Sequence, residues 1–317
     1  MPIPIYSYQE KLEAIVAQAV EAAYSHESLC RLLSEIIEQF CQQQPAPEGA
    51  GRPKTYPDST ILKLAMLMPL SGKRGETEML REAQRHYSAY FGALPGQSRL
   101  WHRLRQAMPL MERFRQYLLA QLGVSYEDLR IVDTCPIPVA TATSRRGKGN
   151  GFDLAEGGYC ASKKLSYLGF KLGVLITPQG IPDRFELFPA RPHDSQLLAE
   201  LVGEEANECF VLGDKGFISK SLKQTLASEQ QVALITYRRR NQTQRNSQVE
   251  QWALHHYRPL VETVFSQLTT MHLENCGAKT DLGLVKRVLG IMTAYTFGIY
   301  LNFLLGRPLL AIKALFA

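Results

Sequence analysis

The periodicity of apolar residues changes at Leu129, and this change constrains the fold of the chain more than any other feature. On the N-terminal side, apolar residues recur at every third or fourth position, which predicts amphipathic helices. On the C-terminal side, short apolar runs alternate with turns and helical stretches, which is typical of strands joined by helices. We therefore predict an all-helical N-terminal region followed by an α/β region.

The order of the elements predicted after Leu129 indicates a mixed sheet. Pro178-Gln179-Gly180 is a turn that joins the second and third strands into a hairpin, and Ser247-x-x-Glu250 is a capping box that opens the last helix. Pro259 is expected to interrupt or restart that helix. The order β-β-β-α-β-α-β-α resembles that of a ribonuclease H-like domain, a mixed five-stranded sheet flanked by helices. The strands are predicted at 129–133, 170–177, 181–189, 209–212 and 232–237, and the two intervening helices at 194–207 and 219–228.

The chain divides into four predicted segments. Residues 1–44 contain two amphipathic helices that form a hairpin, whose apolar faces serve either packing within the domain or assembly and DNA binding. Residues 45–58 are rich in proline and glycine, which predicts a linker. Short helices with tight turns over 59–127 resemble a helix-turn-helix DNA-binding module. Residues 128–317 form the predicted α/β catalytic domain.

One helix of the 59–127 segment is predicted to begin at a Ser98 cap and to end near Gly123. It is rich in arginine and contains a single acidic residue. Arginines near a helix start suit contact with phosphates and base edges, so Arg99, Arg103 and Arg105 are candidate DNA-binding residues. A solvated cationic face is the alternative interpretation.

Composition and charge narrow the class of protein only a little. The net charge of +6 is a mild excess, which by itself is weak evidence for nucleic-acid binding. The six cysteines are scattered without a C-x-x-C pair, so a zinc site is not expected. We see no signal peptide and expect a cytoplasmic protein. The apolar stretch 288–305 resembles a membrane span, but its polar residues favour a buried helix that covers the sheet.

Three acidic residues stand at positions where phosphoryl-transfer chemistry needs them. Asp133 ends the first predicted strand, Asp214 ends the fourth, and Glu262 lies in the last helix. The first and fourth strands are neighbours in such a sheet, so Asp133 and Asp214 should lie side by side within reach of Glu262. Carboxylates on a rigid sheet can bind hard cations, and two cations about 3.5–4 Å apart can clamp the attacking and leaving oxygens of a phosphodiester.

Each of these acids also has an ordinary structural explanation. Asp133 and Asp214 could cap turns, and Glu262 could form an i, i+4 salt bridge with Arg258. The coincidence of all three with the strand order favours the catalytic interpretation. Asp194 is a fourth acid, which ranks below the other three because it can cap a helix.

Basic residues and a histidine surround the same predicted site. Two basic loops, at 144–151 and 238–245, flank the acids, and cations there would neutralise phosphates. For each loop, a solvated run of charge is the alternative. The candidate DNA-binding residues of this region are Lys163, Lys164, Lys215, Arg238, Arg239, Arg240 and Arg258, and the candidate supporting residues are His193 and Asp194.

Several well-known catalytic signatures are absent from the sequence. It contains no G-x-x-x-x-G-K-[ST], G-x-G-x-x-G or H-E-x-x-H motif, and no G-x-S-x-G motif. The sequence therefore gives no support to a P-loop ATPase, a dinucleotide-dependent enzyme, a zinc protease or a serine hydrolase.

The motifs resemble those of bacterial insertion-sequence transposases of the DDE type. Asp133-Thr-Cys-Pro resembles the first-aspartate motif, and Gly213-Asp214-Lys215-Gly216-Phe217 resembles the second. Arg258-x-x-x-Glu262-x-x-Phe265-x-x-Leu268 resembles the glutamate helix of the family, and His193-Asp194 resembles its H-D element. The order and spacing are closest to the insertion-sequence family numbered 982, and the resemblance covers most of the chain.

This resemblance implies a two-metal mechanism on DNA. Asp133, Asp214 and Glu262 would hold two Mg²⁺ ions, which Mn²⁺ can replace, and the same site would cut the element ends and join them to target DNA. The implied partners are double-stranded DNA, both the terminal inverted repeats and the target, and further copies of the chain in a homodimer or larger oligomer. The implied location is the bacterial cytoplasm, without a membrane.

Three alternatives stay open at the level of the sequence. The first is a ribonuclease H-like nuclease that performs no strand transfer. The second is a DNA-binding protein with an inactive catalytic domain, which the arginine-rich helix motivates and the complete acid trio argues against. The third is a membrane-anchored protein, which rests on the stretch 288–305 alone.

Overall fold

The computed structural model describes residues 5–22, 25–45, 54–141, 151–161, 164–203, 209–238 and 245–315. The chain forms two compact units. A helical unit comprises Met1–Leu118 and Lys286–Ala317, and an α/β unit comprises Leu119–Val285. This division differs from the predicted ranges at the C-terminal end, because Lys286–Ala317 groups with the helical unit. The functional roles of the predicted ranges stay predictions.

The helical unit begins with the predicted pair of long helices and continues with shorter ones. Ser25 caps the second helix by accepting a hydrogen bond from the Ser28 N–H, and an ion pair between Lys11 and Glu35 joins the two helices. The helices are α1 (Ile5–Glu21), α2 (His26–Gln42), α3 (Asp58–Leu70), α4 (Glu76–His86), α5 (Ser88–Phe91), α6 (Gln97–Gln106) and α7 (Met108–Gln121).

The arginine-rich helix, predicted as continuous, is divided in two. α6 follows Gly96 rather than a Ser98 cap, and it ends at Gln106, before α7 begins. Pro109 explains the break, because proline lacks the N–H that a continuing helix needs but is tolerated in the first turn of a new helix.

Six strands of the α/β unit form one sheet. The long central strand β3 pairs antiparallel with β1 at one edge, and with β2 and then β4 along the other edge. β5 pairs parallel with β1, and β6 pairs parallel with β5. The strands are β1 (Leu129–Thr141), β2 (Glu156–Cys160), β3 (Leu165–Ile176), β4 (Pro182–Pro189), β5 (Cys209–Gly213) and β6 (Val232–Thr236).

This sheet confirms the predicted fold class and adds one strand to it. Antiparallel strands followed by helix-linked parallel strands make the mixed sheet of a ribonuclease H-like domain, and β1 and β5 are neighbours as predicted. The additional strand, β2, has the sequence Glu-Gly-Gly-Tyr-Cys. Its two glycines and lack of an apolar run disfavour a strand by local preference, so only pairing with β3 makes it one.

The first strand is longer than predicted, and Asp133 therefore lies within it rather than at its end. The pairing of β1 with β5 covers only Leu129–Ile131. Beyond that point, the β5 side of β1 is an open edge within the described part of the chain. An edge tolerates Pro136 and Pro138, which lack an N–H for a second ladder. Asp133 thus stands just past the end of the parallel pairing, where the sheet opens.

Helices pack on the sheet so that Asp133 faces the last helix of the α/β unit. α8 (Asp194–Val202) and α9 (Lys220–Glu229) form a core with Val132 and Val211 on one face. α10 (Gln248–Thr270) packs against β1, β5 and β6. Because side chains alternate along a strand, Asp133 points to the face opposite Val132.

α10 is continuous through Pro259, so the predicted interruption is wrong. Both Pro259 and His255 are exposed. The carbonyl that loses its hydrogen bond to a proline four residues later therefore lies on the solvent side, where water can satisfy it. The predicted capping box of Ser247 and Glu250 is confirmed at the start of the helix. One rigid element therefore presents both Arg258 and Glu262.

The apolar segment near the C-terminus forms α11 (Asp281–Leu304), which is long and apolar enough to cross a bilayer. Its most apolar window is 67% buried in the protein itself, and Phe297 packs against Phe114 of α7. α11 is thus a core helix and does not indicate a membrane protein. From Lys286 onward it belongs to the helical unit, so the predicted buried helix forms part of that unit.

A buried cluster of charges joins α11 to α4 within the helical unit. Glu76, in the first turn of α4, accepts hydrogen bonds from Lys286 at 3.0 Å and from Arg287 at 2.6 Å. Burial disfavours the ionised form of Glu76, but the two cations outweigh this effect and lower its pKa. The cluster is therefore fully ionised, and each member depends on the others.

We predict that Glu76→Gln destabilises the helical unit by about 3–5 kcal/mol, because it removes the carboxylate that neutralises two cations away from water. Urea or thermal unfolding followed by circular dichroism measures the loss. Glu78→Gln is the matched control on the same helix, since Glu78 is exposed and should change the stability by less than about 0.5 kcal/mol. Equal unfolding midpoints for the two variants would contradict the prediction.

Candidate active site

Asp133, Asp214 and Glu262 converge on one arginine, Arg258. The guanidinium lies 3.2 Å from the Asp133 carboxylate, 3.5 Å from that of Asp214 and 3.8 Å from that of Glu262. Asp133 comes from β1, Asp214 follows β5, and Arg258 and Glu262 are one turn apart on α10. The structure therefore brings all three predicted catalytic acids together at the open edge beside β1 and β5.

The guanidinium of Arg258 is held by charge more than by hydrogen bonds. Only 9% of the Arg258 surface is exposed, and its Nε and Nη1 atoms have no hydrogen-bond partner among the described residues. The contact of Nη1 with Asp133 is thus close but not aligned as a hydrogen bond. Arg258 neutralises the acids without being locked to any one of them.

The three carboxylates differ in their exposure to solvent. The exposed fraction of the side chain is 21% for Asp133, 49% for Asp214 and 72% for Glu262. Asp214 is additionally oriented by the Lys215 N–H, which donates a hydrogen bond to its carboxylate. We call this site the cleft, with half-buried Asp133 as its base and exposed Glu262 as its rim; its exposed side suits a substrate too large to be enclosed.

Burial raises the pKa of Asp133 to about 6. Arg258 and the Thr134 N–H, which donates to Asp133 Oδ1 at 2.8 Å, favour the ionised form. The negative charges of Asp214 and Asp194 disfavour it. A carboxyl group whose pKa is shifted towards neutrality by burial and by neighbouring charges, and which lies in a cleft, is characteristic of a functional site.

Asp194 lies near this cleft but is engaged in another ion pair. Its carboxylate accepts a hydrogen bond at 2.9 Å from Lys171 Nζ, which also donates to the Pro192 carbonyl. The cap of α8 is His193, whose ring accepts a hydrogen bond from the Ser195 N–H, so the predicted capping by Asp194 is wrong. Lys171 thus forms an ion pair with the carboxylate of Asp194, and His193 caps the helix that carries Asp194.

Several predicted DNA-binding residues of the α/β unit cannot be placed in the fold. Lys163, Arg239 and Arg240 lie outside the described residues, as does the basic loop over 144–150. Their contact with DNA stays a prediction.

The remaining candidates of the α/β unit are not gathered at one place: Lys215 follows Asp214 directly, whereas Lys164 precedes the start of β3, far along that strand from Val174, the partner of Asp133. Lys215 and Lys164 are exposed, whereas Arg238 is half-buried and donates a hydrogen bond from Nε to the side chain of Asn246. Arg238 also lines a cavity of about 350 Å³ near the starts of α9 and α10, together with two lysines that the sequence analysis did not single out, Lys220 and Lys223.

The candidate arginines of the helical unit are not equivalent. Arg99 and Arg105 are exposed, and the guanidinium of Arg99 lies 5.8 Å from the centre of the Tyr56 ring. Arg103 instead donates hydrogen bonds to Asp58 at 2.5 Å and to the Tyr56 carbonyl at 3.0 Å. Arg103 therefore stabilises the start of α3, while Arg99 and Arg105 present their charges to solvent.

The role of Arg258 as a shared counter-charge was missing from the sequence analysis, which paired it only with Glu262. A signal for it is present in the sequence. Leu254, Arg258 and Val261 occupy positions i, i+4 and i+7 of α10, so the arginine falls within the apolar stripe that faces the sheet. A cation on a buried stripe requires a buried partner of opposite charge, and Asp133 on the facing strand supplies it.

The donor atoms of the cleft suit a divalent cation. Three carboxylates provide the oxygen ligands that Mg²⁺ and Mn²⁺ prefer, and a positive group already stands among them. Within the described ranges, no three His, Cys, Asp or Glu side chains are close enough together to ligate an ion directly. Binding would therefore require the acids to approach one another and Arg258 to withdraw.

A mixed sheet with three acids at this edge is the arrangement expected of a DDE enzyme. A family model described as a transposase DDE domain matches residues 127–297, which is more than half of the chain. The chain therefore belongs to the DDE transposase family, and the match supports the predicted likeness to insertion-sequence transposases. No curated protein and no solved structure matches the chain.

We predict that Arg258→Gln lowers the stability of the metal-free protein, because three carboxylates then repel one another without a shared counter-charge. Asp214 and Glu262 are well exposed, so solvent screening limits the loss to about 1–3 kcal/mol. Arg258→Lys keeps the charge and should lose less. Thermal unfolding in the presence of a chelator measures the effect.

Arg245→Gln is the control for this prediction, because it removes an exposed arginine and should cost less than about 0.5 kcal/mol. If Arg258→Gln and Arg245→Gln unfold at the same temperature, Arg258 is not the counter-charge of the acids.

The raised pKa of Asp133 predicts that cation binding depends on pH. Its pKa in the folded protein, about 6, lies above the ordinary value of 3.8. The stability that protonated Asp133 contributes is therefore complete below about pH 4 and is lost as the pH rises through 6. A cation must displace this proton, so the affinity for Mn²⁺ should rise about tenfold per pH unit up to about pH 6 and then level off.

Calorimetric titration with Mn²⁺ at several pH values between about 5 and 7 tests this dependence. Asp133→Asn, which has no proton to release, should bind weakly and without the slope. An affinity of the native protein that is constant over this range would show that Asp133 is not a ligand.

Proposed function

We propose that this protein is a transposase that cuts the ends of an insertion sequence and joins them to target DNA, with divalent cations bound by Asp133, Asp214 and Glu262. The observation that carries the proposal is the convergence of these three carboxylates on Arg258 in a cleft open to solvent. Membership of the DDE transposase family supports the same class of reaction.

The proposed roles follow from the position of each residue. Two Mg²⁺ ions, or Mn²⁺ in their place, would activate the attacking oxygen and stabilise the leaving oxygen. Asp133, fixed by β1 and by the Thr134 N–H, would be the rigid ligand at the base of the cleft. Asp214 would be oriented by the Lys215 N–H, and Glu262 would complete the ligand set from the rim.

Arg258 would change partners when the acids bind cations. Once Asp133, Asp214 and Glu262 held cations, they would no longer need the guanidinium of Arg258 as their counter-charge, and like charge would favour its moving away. Its Nε and Nη1 atoms, which have no hydrogen-bond partner among the described residues, could then donate to a DNA phosphate, for which the planar fork of arginine is well suited. This agrees with the predicted DNA-binding role of Arg258.

The DNA partner is proposed to be double-stranded and to contact both units. Arg99 and Arg105 would bind phosphates or base edges of the terminal inverted repeats from α6. Lys215 would bind the backbone beside Asp214, and Lys164 would bind it further away, at the start of β3. Arg103 has a smaller role in this scheme, because its hydrogen bonds already go to Asp58 and Tyr56.

The finer identity of the protein is also a proposal. The motif order and spacing support membership of the insertion-sequence family numbered 982. Joining two element ends favours a homodimer or larger assembly on DNA. The described apolar residues along α1 and α2, such as Ile15 and Ile36, are mostly buried, which supports packing within the helical unit for the hairpin over 1–44. A bacterial cytoplasmic location fits a transposase family whose members are normally soluble.

We predict that Asp133→Asn lowers cleavage of element-end DNA roughly 10³-fold or more and leaves DNA affinity unchanged, because it removes a cation ligand but no phosphate contact. Nicking of a labelled element end in Mg²⁺ and a parallel binding assay measure the two quantities. Asp128→Asn is the matched control, since Asp128 is an exposed aspartate directly before the first residue of β1. Normal cleavage by Asp133→Asn would refute the assignment of the active site.

Joining of element ends to target DNA distinguishes a transposase from a nuclease with the same fold, because a nuclease only cuts. Precut element ends supplied with target DNA should give joined products with the native protein and none with Asp133→Asn. Cleavage without joined products would favour the nuclease, and DNA binding without either reaction would favour an inactive catalytic domain.

A further inference from the structure

An uncovered aromatic surface lies on the first half of α10, away from the sheet. Val249, Trp252 and His256 follow one another at i, i+3 and i+7, so they share one face of the helix. Val249 is 75% exposed and Trp252 is 57% exposed, and His256 is exposed as well. We call these three residues the aromatic face of α10. Large apolar side chains that gather on one exposed face usually mark a binding surface.

The rings of this face are held in fixed positions by one another. Trp252 and His256 are stacked in parallel, with centroids 5.0 Å apart and an angle of 9° between the rings. Tyr257 meets both edge-on, at 5.7 Å from Trp252 and 4.8 Å from His256. The indole therefore keeps its orientation without a ligand, so little conformational entropy is lost when another flat ring stacks on it.

The charges along the first half of α10 and in the cavity at its start favour an anionic partner. No acidic residue occurs from Gln251 to Val261. Glu250, near the start of the same helix, lines the cavity together with Lys220, Lys223 and Arg238. Its carboxylate already accepts a hydrogen bond from the Ser247 N–H. Among the described residues, no ion pair involves Lys220 or Lys223, so both charges are available to phosphates.

We propose that the aromatic face of α10 binds an unpaired base of a DNA strand that passes through the cleft, with Trp252 as the stacking surface. This inference rests on the proposed function, because it takes DNA as the substrate. The bases of an intact duplex are stacked on each other, so only a base outside the duplex can stack on a side chain. Stacking on an aromatic ring accepts any base, since every base has a flat face.

The spacing along α10 connects this surface to the acids. Trp252 precedes Glu262 by ten residues, which is about 15 Å along a helix axis at 1.5 Å per residue. That length corresponds to roughly four to five nucleotides at the 3.4 Å spacing of a stacked strand. The surface would therefore bind DNA a few nucleotides from the phosphodiester that reacts, and it would help to hold an opened end in register.

A second copy of the chain is the competing occupant of an apolar surface. The aromatic face consists of one exposed valine and two rings on a single helix, which is far smaller than the roughly 800 Å² per partner that a stable protein interface needs. The absence of acids from Gln251 to Val261 and the two lysines of the cavity at the start of α10 favour DNA over another copy of a chain whose net charge is also positive, +6.

Two DNA probes with the same duplex test the proposal, one blunt and one with a short unpaired end. Trp252→Ala should bind the unpaired-end probe roughly ten- to hundredfold more weakly than the native protein, which is the loss expected for one stacked base, and should bind the blunt probe equally well. Trp101→Ala removes the other tryptophan, from α6, and is the matched control. Trp252→Phe retains a stacking ring and should recover most of the affinity.

The chain has two tryptophans, which permits a direct measurement. In Trp101→Phe the indole of Trp252 is the sole tryptophan, and its fluorescence should be quenched by the unpaired-end probe and not by the blunt one. Quenching that is equal for both probes, or an equal loss of affinity for both in Trp252→Ala, would overturn the proposal.

The remaining outcomes also decide the matter. If Trp252→Ala lowers the molar mass of the protein in solution and leaves the affinity for the unpaired end unchanged, the aromatic face is an interface between copies and the proposal is wrong. Asp133→Asn should bind both probes as the native protein does. Failure of the proposed active site would therefore appear as cleavage by Asp133→Asn, independently of the stacking result.

Discussion

The attraction between one buried guanidinium and three carboxylates organises the centre of this protein. Arg258 lies within 3.8 Å of acids from β1, from the end of β5 and from its own helix. Without a cation among them, these acids would repel one another in a partly buried cleft, where each charge is costly. The apolar stripe of α10 packs the helix on the sheet, and the charge of Arg258 within that stripe is what lets the acids converge there.

The same pairing of Arg258 with the acids explains how the site can be stable without a cation and still become accessible to one. The guanidinium neutralises the acids, yet its Nε and Nη1 atoms have no hydrogen-bond partner among the described residues. A group held by charge more than by hydrogen bonds can yield to another cation while breaking few directed bonds. The exposure of Glu262 at the rim and the burial of Asp133 at the base give the cleft a rigid side and an adaptable side.

Much of the fold and of the acid site could be predicted from local patterns. The apolar periods gave the helices and five of the strands, and the strand order indicated that Asp133 and Asp214 are neighbours. Local patterns failed where pairing or exposure decides the structure. β2 is a strand because β3 pairs with it, β1 continues through two prolines because its far edge is open, and α10 continues through Pro259 because that residue faces solvent.

The sequence by itself determined the order of the helices and strands, the identity of the three acids and the motifs that resemble those of DDE transposases. These depend only on residue identity and on spacing along the chain. Only the tertiary structure decided that Arg258 is the common partner of the acids, that Asp194 is engaged by Lys171, and that Trp252 is left uncovered. The physical reason is that spacing fixes which face of an element a residue occupies, whereas charge pairing and burial depend on what the fold brings against that face.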